Sequence, residues 1–285
     1  MEETNNTGEK GKKLDAFRIV GLPPDFYYMP DFITVEEEMS ILSKIPANRW
    51  THLTHRRLQA IPSTLTKSNT LLVAASLPVY LTHPVVERFE EYGIFAQNNT
   101  TTPTTPTTPS TSHGQPNHVL VNEYRAGEGI MPHEDGDAYA PVVATVSLGS
   151  GLCLDVLPAR KKKESGDAHP HDNNNDEDSG DGNEAEAEPE YTLPARIFQE
   201  PRSLLVTTGR AYREVLHGIA PIEVDEGLLG ESSVANWSLL GDLTREGLVG
   251  SGGRNVRGTR VSLTYRDVLK VSAGATRVFG GLGRK

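Results

Sequence analysis

The sequence has 285 residues and a formal net charge of −10, which gives room for one large domain or two small ones. Its only cysteine, Cys153, excludes an intramolecular disulfide and a four-cysteine zinc site, and it favours a reducing compartment, cytoplasm or nucleus. No apolar run has the length of a secretory signal or a membrane span, so no membrane partner is expected.

The negative charge is concentrated in one segment. Residues 164–190 contain 11 acidic side chains and no Lys or Arg, so the rest of the chain holds 27 acidic against 28 basic residues. A nearly neutral folded part lacks the broad basic surface expected of a tight duplex binder. The predicted organisation is a disordered tail at 1–13, one domain at 14–272 with low-complexity inserts at 98–112 and 160–190, and a tail at 273–285.

Two helices are predicted before the first insert. A short strand at 26–32 leads to Thr34, which can cap a helix with Glu37 as the second member of a capping box. The predicted apolar face of this helix consists of Val35, Met39, Ile41, Leu42 and Ile45, and Pro46 ends it. Thr82 is predicted to cap a second helix, over 83–92, which ends at Gly93.

Five later segments have the alternating or buried apolar pattern of strands: 118–124, 141–149, 152–157, 201–206 and 257–266. The Gly- and Ser-rich residues 223–255 are predicted to form a long connection. Two helices followed by a run of short strands indicate an α+β chain, mainly β, built on an antiparallel barrel or sandwich.

A candidate metal site begins with His133-x-Asp135, because side chains two residues apart in an extended segment leave the same face. A distant second histidine, His217, would complete a facial triad of two imidazoles and one carboxylate, the set that holds non-haem Fe(II). Each part has a plainer interpretation: His-x-Asp is common as a solvated or structural pair, and His217 alone fits a histidine at the edge of a core.

The last predicted strand places two arginines on one face. Arg260, Ser262, Thr264 and Arg266 alternate with Val261, Leu263 and Tyr265. Guanidinium groups on a half-buried strand need anionic partners, and a planar guanidinium matches a carboxylate. A small dicarboxylate bound beside the metal would explain both arginines, whereas ordinary ion pairs on a solvent face are the alternative.

These motifs together resemble a known family. Asn122-x-Tyr124, Gly127, His133-x-Asp135, His217 and Arg260-x-Ser262-x-x-x-Arg266 are similar to those of the AlkB Fe(II)/2-oxoglutarate dioxygenases, in the family's order. The amino-acid sequences of residues 127–136, 200–206 and 257–264 resemble those of the sixth AlkB homologue subfamily.

The resemblance implies a double-stranded β-helix (jelly-roll) core with N-terminal helices. It implies Fe(II) held by His133, Asp135 and His217, which are also the catalytic set. The implied co-substrates are O2 and 2-oxoglutarate, the latter held by Asn122, Tyr124, Arg260, Ser262 and Arg266, with Arg260 on its distal carboxylate.

The resemblance further implies oxidative N-demethylation of alkylated nucleic acid, DNA or RNA. A side-chain hydroxylase or demethylase acting on protein is the alternative within the same cofactor class, and a non-catalytic metal-binding scaffold is the alternative from another class. Arg56, Arg57, Gln59 and Tyr139 are the predicted substrate contacts, with Trp50 as a second aromatic for stacking on a base. An ordinary basic loop explains the two arginines equally well. Oligomeric state is left open, with a monomer expected.

Overall fold

The computed structural model describes residues 14–73, 76–96, 112–159 and 191–273. The predicted tails at 1–13 and beyond 273, the Thr- and Pro-rich insert up to residue 111, and the insert at 160–190 lie outside the described residues. In the described ranges, no helix is long and apolar enough to cross a membrane.

The described part is mainly β. Its strands are β1 (Phe26–Met29), β2 (Thr51–Leu53), β3 (Arg56–Ile61), β4 (Thr70–Val73), β5 (His118–Tyr124), β6 (Ile130–His133), β7 (Tyr139–Gly149), β8 (Leu152–Pro158), β9 (Ala195–Gln199), β10 (Leu204–Thr208), β11 (Val215–Ile219), β12 (Val224–Asp225), β13 (Asn255–Val256), β14 (Arg260–Val268) and β15 (Lys270–Ala273). The helices are α1 (Val35–Lys44), α2 (Val79–Thr82), α3 (Val85–Tyr92), α4 (Gly209–Glu214) and α5 (Asp242–Gly250).

Two antiparallel sheets enclose a pocket. The larger has the order β1-β10-β7-β14-β5-β3-β2, and the smaller has the order β6-β11-β8-β9. Both sheets line the pocket, the larger through Asn122 and Thr264 and the smaller through Val215 and His217. The predicted α+β class, with a double-stranded β-helix core and N-terminal helices, is confirmed.

Strand β14 lies at the centre of the larger sheet, between β5 and β7. Val261, Leu263 and Tyr265 are buried on the face that packs against the helices, as the alternation predicts. The Tyr265 hydroxyl donates to the carbonyl of Leu81 at 2.8 Å, and its ring meets that of Phe89 edge-on at 5.1 Å. The alternate residues of β14 therefore point into the pocket with little freedom to move.

The capping box of α1 is confirmed, since the Glu37 N–H donates to Thr34 Oγ1 at 3.2 Å and the Thr34 N–H to Glu37 Oε2 at 2.8 Å. Its predicted apolar face is partly wrong: Met39 is 65% exposed and Val35 is exposed too. The helix packs along a narrower strip, in which Ile41 is buried and the carboxylate of Glu38 accepts from the Gly149 N–H at 2.7 Å.

Two further predictions of local structure are corrected. Thr82 is the last residue of α2 and does not cap α3, because Pro84 occupies the N-cap position; Gly93 ends α3 in the left-handed region, as predicted. The predicted connection at 223–255 contains helix α5 and the short pair β12–β13. Leu248 is the buried residue of α5, so the helix has little of the apolar pattern that would reveal it.

Candidate active site

The antiparallel pairing of β6 with β11 places the two predicted histidine ligands side by side. His133 and His217 are direct register partners, and their ring centroids are 4.4 Å apart. Gly218 permits this close approach, since a Cβ there would lie 2.9 Å from the backbone nitrogen of Pro132. Asp135 follows two residues after His133, so one strand pair and one short extension bring the three side chains together.

The donor set fits a divalent transition metal. One ligand atom from each of His133, Asp135 and His217 can be chosen so that all three lie within 4.8 Å of one another. His217 Nε2 is 3.9 Å from Asp135 Oδ2, which is too long for a hydrogen bond and suits two ligands of one ion. His133 Nδ1 lies 3.0 Å from the Met131 carbonyl, so Nδ1–H donates there and Nε2 is left for the metal. Two imidazoles and a carboxylate match the facial triad of Fe(II) oxygenases.

The charges around the triad favour metal-binding protonation states. Partial burial lowers the pKa of His217 to about 4, so this imidazole is neutral near pH 7. Burial acts to raise the pKa of Asp135, but the guanidinium of Arg266 and the two neighbouring histidines together outweigh it, and the net pKa is lowered. Arg266 donates to Asp135 Oδ1 in a buried ion pair, so its guanidinium is at the metal end of the pocket.

Four predicted co-substrate residues form two neighbouring cross-strand pairs. On β14 and β5, Arg260 is opposite Tyr124 and Ser262 is opposite Asn122, so all four face the pocket. Arg260 is 2% exposed, and its guanidinium carbon is 5.9 Å from the centroid of the Tyr124 ring. A cavity of about 120 Å³ extends between these residues and the triad. A chelating acid with a distal carboxylate would fit this polarity, with the carboxylate at Arg260.

The pleat of β3 separates the predicted substrate residues. Arg56 lines the pocket. Arg57 is opposite Glu123 on β5 and pairs with it at 2.6 Å, and it stacks on Trp50 at 4.4 Å. Gln59 is buried and donates to the Pro46 carbonyl at 2.7 Å. Arg57 and Gln59 therefore face away from the pocket, because alternate residues of a strand face opposite sides. Trp50 lies on that same side, against Arg57, so the prediction of substrate contact is corrected for all three residues.

Tyr139 lies at the start of β7, outside the pocket lining. Its ring centroid is 5.1 Å from the guanidinium carbon of Arg266 and 6.3 Å from the ring of His118. Here Tyr139 supports a charged residue at the metal end, and a contact with substrate stays a prediction.

Three residues that support the pocket have no role among the predictions made from the sequence. Ser147 and Gln199 bond the guanidinium of Arg260, and Tyr212 donates to the Gly136 carbonyl at 2.9 Å, next to Asp135. The alternation of β7 signals that Ser147 shares a face with Thr145. No local pattern signals Gln199, because its role depends on contact between two sheets.

Comparison with known proteins agrees with this geometry. Residues 25–266 match the 2OG-Fe(II) oxygenase superfamily. The protein named "Probable RNA/DNA demethylase ALKBH6" from Danio rerio is 34% identical over 261 residues, which cover 90% of this chain and 92% of that protein. "Uncharacterized protein L905" from Acanthamoeba polyphaga mimivirus is 24% identical over 271 residues, covering 92% of this chain and 89% of that protein.

Among solved structures, a 2OG-Fe(II) oxygenase family oxidoreductase from Burkholderia pseudomallei aligns over 96% of this chain and 95% of its own, with a TM-score of 0.45 and 11% identity. The family match spans most of the chain, and the zebrafish relative is similar over nearly its whole length. The chain therefore belongs to the 2OG-Fe(II) oxygenase superfamily and, within it, to the AlkB-like dioxygenases, which use Fe(II), 2-oxoglutarate and O2.

Proposed function

We propose that this dioxygenase removes N-methyl groups oxidatively from alkylated nucleic acid. The relative from Danio rerio, which is named a probable RNA/DNA demethylase, aligns with 90% of this chain. The structural observation that carries the proposal is a cleft of about 790 Å³ that opens beside the triad.

This cleft, named here the mouth cleft, is bordered by the β2–β3 turn, by β6 and by the segment that follows His217. Its lining residues are Leu53, Thr54, His55, Arg56, Gly129, Ile130, Met131, Pro132, His133, Asp155, Gly218, Ile219, Ala220 and Pro221. Most of this wall is apolar, which suits the faces of a flat heterocyclic base. Arg56 lies at the border between the mouth cleft and the pocket, where its charge can meet a phosphate or stack on the base.

The metal ligands and the predicted co-substrate residues each have a proposed role. His133, Asp135 and His217 hold Fe(II), and the Arg266 guanidinium pairs with Asp135. Arg260 fixes the distal carboxylate of 2-oxoglutarate, while Asn122, Tyr124 and Ser262 line its path to the metal. Fe(II), 2-oxoglutarate and O2, when bound, supply the oxidation that hydroxylates the N-methyl carbon and yields succinate and CO2. The resulting hemiaminal breaks down to the amine and formaldehyde.

The lone cysteine supports the expected compartment. Cys153 is buried in β8, which keeps its thiol away from disulfide partners on other molecules, and burial also raises the pKa of that thiol. We infer that the protein works in the cytoplasm or nucleus, where no disulfide is needed for stability.

The test compares nucleic acid with protein as substrate. Three substrates are incubated separately with the enzyme, Fe(II), 2-oxoglutarate and O2: methylated DNA oligonucleotides, methylated RNA oligonucleotides and a cell protein extract. The masses of the products are then measured by mass spectrometry. We expect loss of 14 Da per methyl group from an oligonucleotide, with formaldehyde released, because CH3 is replaced by H. Modification of the protein extract alone would overturn the nucleic-acid proposal in favour of a protein side-chain oxygenase.

The arginines at 56 and 57 provide a matched pair of variants. Arg56→Ala should weaken oligonucleotide binding about tenfold and reduce its dependence on salt, since one cation at the mouth cleft is removed. Arg57→Ala removes the same charge from the opposite face of β3, so it should leave binding nearly unchanged. Equal effects of the two variants would contradict binding at the mouth cleft.

A further inference from the structure

Three arginines are buried among the described residues, and one of them has no carboxylate partner. Arg257 donates to Asp225 Oδ2 at 2.9 Å, and Arg266 pairs with Asp135. In the part of the chain that the structure describes, Arg260 makes no ion pair, although it is 2% exposed. Burial lowers the pKa of Arg260 to about 10, which reflects a positive charge with little compensation.

Neutral oxygen atoms hold the guanidinium of Arg260 instead. Its Nη2 donates to Ser147 Oγ at 2.9 Å and also to Gln199 Oε1. Ser147 Oγ in turn donates to Gln199 Oε1 at 3.0 Å. The amide oxygen of Gln199 therefore receives two donors, which fixes the side chain with its oxygen towards Arg260.

One donor of the Arg260 guanidinium group is left without a partner in the described part of the chain. Arg260 Nε is buried and makes no hydrogen bond with the described residues, and a buried donor without a partner is costly. A carboxylate arriving in the pocket would satisfy this donor and the uncompensated charge together. A residue that accepted the hydrogen bond with a carboxylate of its own would remove that advantage.

We infer that Gln199, with Ser147, is a positioning and specificity-determining residue: it holds Arg260 by a neutral acceptor and so keeps its charge free for a 2-oxo acid with a distal carboxylate. The inference rests on the proposed assignment of Arg260 to the distal carboxylate of 2-oxoglutarate. Gln199 touches Arg260 and not the reacting atoms. Its neutrality is the property that matters, because Glu at the same position has the same length and would form an internal ion pair.

The test is Gln199→Glu, with opposite expected effects on the free protein and on co-substrate binding. Without metal or co-substrate, the midpoint of thermal unfolding should rise by about 2 °C or more, because a buried guanidinium gains a partner. In the Mn(II)-loaded protein, 2-oxoglutarate should bind at least about 30-fold more weakly by calorimetry, the range found when a desolvated charge pair is lost. No nucleic acid is present, so this result is independent of whether oligonucleotides are substrates.

Selectivity gives a second readout that a purely structural role would not change. 2-Oxopentanoate has the chain length of 2-oxoglutarate but lacks the distal carboxylate. The native protein should prefer 2-oxoglutarate strongly, and Gln199→Glu should reduce this preference by the same factor by which it weakens 2-oxoglutarate binding. Retained preference with unchanged affinity would overturn the inference.

Gln59→Glu is the matched control. Gln59 is also buried, but it faces the other side of the sheet and bonds the Pro46 carbonyl, with no arginine among its hydrogen-bond partners in the described ranges. A carboxylate there should lower the unfolding temperature and leave 2-oxoglutarate binding unchanged. If Gln199→Glu lowers stability in the same way, Gln199 does not serve Arg260.

Gln199→Met covers the case in which Gln199→Glu fails to fold. Met has a similar length and offers no acceptor comparable to the amide oxygen, so Arg260 loses an anchor but keeps its free charge. We expect an approximately tenfold loss of 2-oxoglutarate affinity with the preference over 2-oxopentanoate retained. Loss of that preference, or native affinity, would overturn the inference.

Discussion

The ion pair between Arg266 and Asp135 provides a sharp test of how charge is balanced at the metal end. The side chains are 8% and 4% exposed, so both charges lie away from water. Arg266→Met keeps a similar side-chain length and removes the guanidinium, which leaves a buried carboxylate without its partner. Breaking a buried pair in this way costs about 3–5 kcal/mol of stability, and this is the loss expected for the metal-free protein.

Metal binding should offset much of that loss. A divalent ion held by Asp135 supplies positive charge beside the same carboxylate, and it no longer meets repulsion from a guanidinium. Mn(II) should therefore stabilise Arg266→Met more than it stabilises the native protein. An extra increment of about 1.4 kcal/mol corresponds to tenfold tighter binding to the folded state.

Chemical unfolding with and without Mn(II) measures both quantities, and Arg257→Met is the matched control. Arg257 forms a comparable buried pair with Asp225, away from the triad. This control should lose similar stability while its Mn(II) increment stays at the native value. A smaller increment for Arg266→Met than for the native protein would refute the reasoning, because Arg266 would then assist metal binding rather than oppose it.

Three other outcomes are expected. His217→Ala should abolish 2-oxoglutarate turnover, measured as succinate release, and change the unfolding free energy by about 1 kcal/mol or less, because the ligand is partly exposed at the pocket mouth. His118 is buried, and burial lowers its pKa to about 4 from the ordinary 6.5. The folded state therefore favours neutral His118, so the stability that depends on this form is fully present above about pH 6.5 and is lost as the pH falls towards 4. His118→Phe should flatten the decline in unfolding free energy over that range by up to about 3 kcal/mol, with His52→Asn, at an exposed position, as the control for removing one histidine. Thr34→Ala should lower the unfolding free energy by about 1 kcal/mol in denaturant titrations, because it removes one half of the α1 capping box.

The sequence predicts the parts of the site that depend on local periodicity. The strict alternation on β14 identifies which residues face the pocket, and His133-x-Asp135 places two ligands on one extended segment. The capping box of α1 is likewise a pattern over four residues. In each case the information lies within one element, so the chain order is enough.

The parts that were missed depend on neighbours distant in sequence. Met39 fits an apolar helix face, yet its side chain is largely exposed in the part of the chain that the structure describes. In the sequence, residues 56–59 fit substrate contacts and an ordinary basic loop equally well. The pairing of β3 with β5 decides that Arg56 faces the pocket while Arg57 faces away. Gln199 reaches Arg260 from the smaller sheet, across a gap that no sequence pattern describes.

The division of the site between two sheets has a mechanical consequence. His133 and His217 belong to β6 and β11 of the smaller sheet, whereas Arg260 and Ser262 belong to β14 of the larger. In the proposed binding mode, 2-oxoglutarate is bound to the metal at one end and to Arg260 at the other, so it connects the two sheets. Its conversion to succinate releases one carbon as CO2 and leaves a shorter dicarboxylate, so the connection between the two sheets should weaken at the moment when product has to leave.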